Sequence, residues 1–81
     1  MINVDLLATI TETAGAPGFE NRIRTFIKNE VSPLVDEVRI DAMGNLIAVK
    51  KGKDSSKRAM VAAHLDEIGF IVTHIDDKGF V

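Results

Sequence analysis

The chain has 81 residues, 46% of them hydrophobic and 27% charged, with no cysteine and a formal net charge of −2. This balance predicts one folded domain at most, with a thin core that hides only about 60–65% of the unfolded surface. It excludes disulfide staples and thiolate metal sites, offers no basic footprint for nucleic acid, and contains no apolar run of the roughly 18 residues that a membrane span needs.

The opening "MINVDLLATI" has an early Asp5 and no basic lead-in, so no signal peptide is expected and the default location is the cytoplasm. From Asn3 the spacing predicts a short amphipathic helix. Leu6, Leu7, Ile10 and Ala14 form its apolar stripe, Asn3 is its N-cap, and Gly15 ends it. "GAPG" predicts a turn through Pro17 and Gly18. A second helix is expected from about Phe19, with Phe19, Ile23, Phe26, Ile27 and Val31 on one face and Arg22, Arg24, Lys28 and Asn29 on the wet side. Pro33 should stop it, by pushing Ser32 out of the helical region.

The apolar period then changes to two. "DEVRI" predicts a strand with Val38 and Ile40 inward, "DAMGN" a turn in which Gly44 takes positive φ, and "LIAVK" the returning strand. "KGKDSSK" reads as a polar loop. "RAMVAAH" and "IGFIVTHI" predict two further strands, and "DDKG" a turn into a last strand at Phe80-Val81. "MVAA" is apolar at consecutive positions, which suggests a strand covered on both faces, as in the centre of an α/β sheet. Two short helices cannot cover both faces of four strands. The pattern α-α-β-β-β-β therefore predicts the front of a larger α/β domain.

The chemistry concentrates in "AAHLDEIGF". Strand period places His64 and Asp66 on one side and turns Leu65 to the other. A neutral imidazole can ligate Zn²⁺ or Co²⁺ through one nitrogen, while a carboxylate that accepts from the other nitrogen fixes the tautomer. The tripeptide alone matches a histidine capped by a turn carboxylate better than a metal ligand. Burying an unpaired polar group costs about 2–7 kcal/mol, so the apolar flanks call for a partner for both residues. Glu67 reads either as a further site group or as the start of a turn, and Gly69 as a point of close backbone approach. His74, which a hairpin would place near Ala59, is assigned a structural role.

"AAHLDEIGF" resembles the first metal-site motif of the M42 family of metallo-aminopeptidases. "GAPGFENRIR", "DAMGNLIA" and "THIDDKGFV" are similar to three more of its segments, in the same order, so the resemblance spans nearly the whole chain. It implies the N-terminal part of a mixed-sheet catalytic domain with two divalent metal ions, Zn or Co, acting on peptides. The segment would end near an inserted β domain used in oligomer assembly. His64 would be a metal ligand and Asp66 the catalytic carboxylate that orients it. The other ligands and the general base would come from later in such a protein, so the 81 residues alone should be inactive. Two other classes match less well. A glycoside hydrolase of the endoglucanase type needs two carboxylates flanking the bond, whereas Asp66 and Glu67 would point to opposite sides of a strand. A non-catalytic binding or assembly module should ignore Zn²⁺ and Co²⁺.

Overall fold

The first helix begins where a side chain replaces missing backbone partners. In the computed structural model, which describes residues 1–81, the Asn3 side chain accepts from the Leu6 N–H at 3.0 Å. Helix α1 runs Val4–Glu12, with Asp5 in its first turn, and ends at a Thr13 cap, two residues ahead of the Gly15 stop that the sequence suggests. Pro17 and Gly18 then form the expected turn, closed by Phe19 N–H donating to the Ala16 carbonyl at 2.8 Å.

Helix α2 spans Asn21–Val31 and starts two residues later than the apolar pattern suggests. Ile23 is 2% exposed and is the only fully buried large side chain in the chain. Phe26, Ile27 and Val31 are half-buried, whereas Phe19 lies outside the helix and is 65% exposed. Ser32 does not leave the helical region: it keeps φ −52° and ψ −41°, and the chain tightens into a short 3₁₀ turn, Ser32–Leu34. Pro33 sits in the first turn of that 3₁₀ segment, where its missing N–H is no loss.

Strands β1 (Glu37–Ile40) and β2 (Leu46–Val49) pair antiparallel, with Val38 opposite Ala48 and Ile40 opposite Leu46. Val38 is half-buried as expected, but Ile40 is exposed. The connecting turn is held by Asp41. Its carboxylate accepts from the Met43 and Asn45 N–H groups at 3.0 and 2.8 Å and from the Asn45 side-chain amide at 2.9 Å. Gly44 takes φ +87°, as the sequence requires, and its bare α-carbon also leaves room for Arg24. That arginine is not on a wet face. Its guanidinium donates to the Gly44 carbonyl at 2.8 Å and to the Asn21 side chain, tying α2 to the hairpin.

The predicted α/β class holds in its coarse form, as two helices and two antiparallel strands. The two further strands do not form. Residues 58–66 and 68–75 carry no regular structure, and "MVAA" is not a covered central strand, since Val61 is 97% exposed. The reason lies at residues 65–69. Glu67 N–H donates to the Gly15 carbonyl at 2.9 Å, so this stretch docks on the α1–α2 connection instead of making the turn that would pair its flanks. Phe80-Val81 likewise follow an Asp76–Phe80 turn without entering a sheet. The radius of gyration is 17.1 Å. A compact domain of this length has about 12 Å. No helix is long and apolar enough to cross a membrane.

The hairpin turn carries a pH dependence. Hydrogen bonds from the Asn45 side chain, then from the Asn45 and Met43 backbone, hold the Asp41 carboxyl below its usual 3.8. A depressed carboxyl stabilises the folded turn above its unfolded pKa and loses that contribution as pH falls through the lower, folded value. In an NMR titration the Met43 and Asn45 amide protons should therefore move towards random-coil shifts only below pH 3.8, and Asp41→Asn should flatten the profile.

Candidate functional site

The segment that bears the candidate site is positioned by close backbone approach. Gly15 is buried, and a Cβ there would lie 3.0 Å from Ile23 Cγ2 and 3.4 Å from the Leu65 carbonyl oxygen. Two residues beyond Glu67, a Cβ on Gly69 would meet the Ala16 Cβ at 3.1 Å. The close approach expected at Gly69 is thus present. The matching role of Gly15 and Ala16 was hidden in the sequence, where they read only as turn residues. Two glycines separated by more than fifty positions carry no local signal that they face one chain crossing.

On this platform Leu65 and Asp66 are half-buried, while the side chain of His64 is 83% exposed. His64 does not sit at the end of a strand. It does lie at an open groove of about 460 Å³, bounded by Ile27 and Val31 of α2, Gly44–Leu46 and Ala48 of the hairpin, and residues 61 and 63–66. Glu20 and Asn45 add polar groups to the same groove.

The imidazole and Asp66 are brought together. His64 Nδ1 is 2.8 Å from the Asp66 backbone carbonyl and 3.1 Å from Asp66 Oδ1. A carbonyl and a carboxylate can only accept, so Nδ1 carries the proton. In the neutral ring that leaves Nε2 with a free lone pair. Glu67 contributes its backbone N–H to the Gly15 contact, and no turn forms at that residue. His74 is exposed and has no hydrogen bond or ion pair; the hairpin that would set it beside Ala59 is absent.

A divalent cation can be tested against this donor set. One ring nitrogen is presented with its tautomer fixed by the Asp66 backbone carbonyl and carboxylate together, an arrangement that ligating histidines use. No group of three or more His, Asp or Glu side chains converges anywhere in the chain. The residues present therefore fit one coordination position of a metal site and do not make a complete one.

Comparison with known proteins settles the family. The sequence pattern of the M42 glutamyl aminopeptidase family matches residues 44–81. A protein of Acetivibrio thermocellus with a provisional aminopeptidase name is 56% identical over 77 residues, covering 95% of this chain and 23% of its own length. The lysyl aminopeptidase of Pyrococcus furiosus is 42% identical over 100% of this chain and 23% of its own. The glutamyl aminopeptidase of Lactococcus lactis is 34% identical over 93% and 21%. The chain belongs to the M42 aminopeptidase family, as an N-terminal portion. It spans less than a quarter of the length of these relatives. No solved structure matches it.

The platform can be broken selectively. Gly69→Val places two methyl groups where one Cβ already crowds Ala16, and should push residues 65–69 off the α1–α2 connection. Hydrogen exchange at the Glu67 amide should then rise to the rate of its unprotected neighbours, with the Leu6 amide, held by the Asn3 cap, unchanged.

Proposed function

We propose that these residues supply one corner of the active site of a metal-dependent aminopeptidase. The observation that carries the reading is the His64–Asp66 pair, with Nδ1 engaged at 2.8 and 3.1 Å and Nε2 free at the rim of a groove. The similarity to lysyl and glutamyl aminopeptidases gives the reaction class, hydrolysis of an N-terminal residue from a peptide.

In this reading His64 is a metal ligand through Nε2. Asp66 is the positioning carboxylate: it holds the proton on Nδ1, fixes the ring plane and raises the basicity of the donating nitrogen. A bound divalent cation, Zn or Co, would supply Lewis acidity and a water of lowered pKa. A pair of such ions sits about 3.5–4 Å apart and needs more donors than one histidine. The remaining ligands and the general base would come from the polypeptide that makes up the rest of the relatives' length. The 81 residues would be the N-terminal segment of a mixed-sheet catalytic domain, ending near an inserted β domain. The complete enzyme would be a cytoplasmic homo-oligomer, and this segment by itself would not turn over peptides.

The test uses a single polypeptide in which residues 1–81 replace the matching stretch of the Acetivibrio thermocellus relative. His64→Ala should abolish most Zn²⁺ or Co²⁺ uptake measured by calorimetry. Asp66→Asn should lower release of an amino-acid anilide by about 10–100-fold. Unchanged metal uptake in His64→Ala would remove the ligand assignment. Hydrolysis of cellulose oligomers with peptides left intact would remove the peptidase reading altogether.

A further inference from the structure

Glu20 holds the N-cap position of α2, yet its side chain makes no cap. Its backbone sits at φ −94° and ψ 12°, and no side-chain hydrogen bond reaches the first turn of the helix. A side-chain oxygen at this position ordinarily takes one of the free N–H groups there. This one turns back along the chain instead, and Oε1 accepts from the Gly18 N–H at 2.9 Å.

The bond closes a turn on which the site segment stands. Gly18 takes φ +81°, and Phe19 N–H donates to the Ala16 carbonyl at 2.8 Å, so residues 16–20 are pinned twice. The Gly15 carbonyl receives the Glu67 N–H at 2.9 Å, and Ala16 Cβ lies 3.1 Å from where a Cβ on Gly69 would stand. Neither helix reaches this stretch, since α1 ends at Glu12 and α2 starts at Asn21. The place of the Gly15 carbonyl therefore rests on the packing of Gly15 against Ile23 and on the turn. Glu20 is half-buried and lines the same groove as His64 and Asp66. No lysine or arginine lines that groove, and Glu20 forms no ion pair, so the Gly18 amide is the carboxylate's one partner.

We propose that Glu20 is a positioning residue for the aminopeptidase site. Through Gly18 it stiffens the turn, the turn seats residues 65–69, and that seat fixes where His64 and Asp66 stand. The inference rests on the reading of His64 as a metal ligand. What Glu20 supplies is an acceptor oxygen at the right reach, and its charge is secondary. Arg24, one turn further along α2, is the control: it ties the helix to the hairpin through the Gly44 carbonyl at 2.8 Å and makes no bond to the 15–19 stretch.

The experiment reads the brace and the site separately. In the 81-residue chain, Glu20→Ala should raise amide hydrogen exchange at Gly18 and Glu67 by about tenfold. Glu20→Gln, which keeps an acceptor oxygen, should leave both rates unchanged, as should Arg24→Ala at Glu67. The Leu6 amide, held by the Asn3 cap, should not move in any of them. The second arm uses the single polypeptide in which residues 1–81 replace the matching stretch of the Acetivibrio thermocellus relative. There Glu20→Ala should weaken Zn²⁺ uptake and lower kcat for the amino-acid anilide by about tenfold, with KM changed by less than about twofold, and Glu20→Gln should restore both. Glu20→Met, which keeps the stem and removes the oxygens, stands in if the alanine form does not fold. Unchanged exchange at Glu67 in Glu20→Ala would overturn the brace, and a glutamine form as impaired as the alanine form would overturn the acceptor role. Faster exchange at Glu67 with metal uptake and kcat intact would overturn the link to the site. An unaltered polypeptide that neither takes up metal nor releases the anilide would remove the aminopeptidase reading and that link with it, whereas the exchange rates decide the brace on their own.

Discussion

One hydrogen bond, from the Glu67 N–H to the Gly15 carbonyl, joins residues 52–81 to residues 1–51. A single bond of this kind contributes about 1 kcal/mol net, too little to hold thirty residues on its own. It works because the crossing is also tight. Gly15 is buried against Ile23, the Leu65 carbonyl lies over it, and Gly69 meets Ala16. The result is a fixed point from which Leu65 turns inward and His64 outward. The outward direction of the imidazole depends on that crossing.

The elements that could be read from sequence are those closed by neighbours in sequence. The Asn3 cap, the Pro17-Gly18 turn and the Asp41–Asn45 hairpin each satisfy their own backbone within a few residues. The strands expected at 58–64 and 68–75 are different. An extended apolar run becomes a strand only when another strand accepts its peptide groups, and nothing within the chain does so. The roles of Arg24 and Gly15 escape a local reading for the same reason. Their partners, the Gly44 carbonyl and the Glu67 amide, are twenty and fifty-two positions away. At the site, the spacing of His64 and Asp66 was legible, because i and i+2 on one side of the chain can meet without any tertiary help.

The groove connects these observations. Its lining combines apolar residues of α2 and β2 with His64, Asp66, Glu20 and Asn45. In this arrangement the His64 ring is 83% exposed, so water screens its contact with the Asp66 carboxylate.

The central claim is that Asp66 fixes His64 with the proton on Nδ1 and the lone pair on Nε2. Nitrogen-15 NMR of the ring, recorded above the pH at which the imidazole becomes neutral, reads the tautomer directly. The account predicts a protonated Nδ1 and a bare Nε2, with Asp66→Ala, which keeps the backbone carbonyl at 2.8 Å but loses the carboxylate at 3.1 Å, raising the share of the Nε2-protonated ring. A ring protonated on Nε2 in the unaltered chain would contradict it.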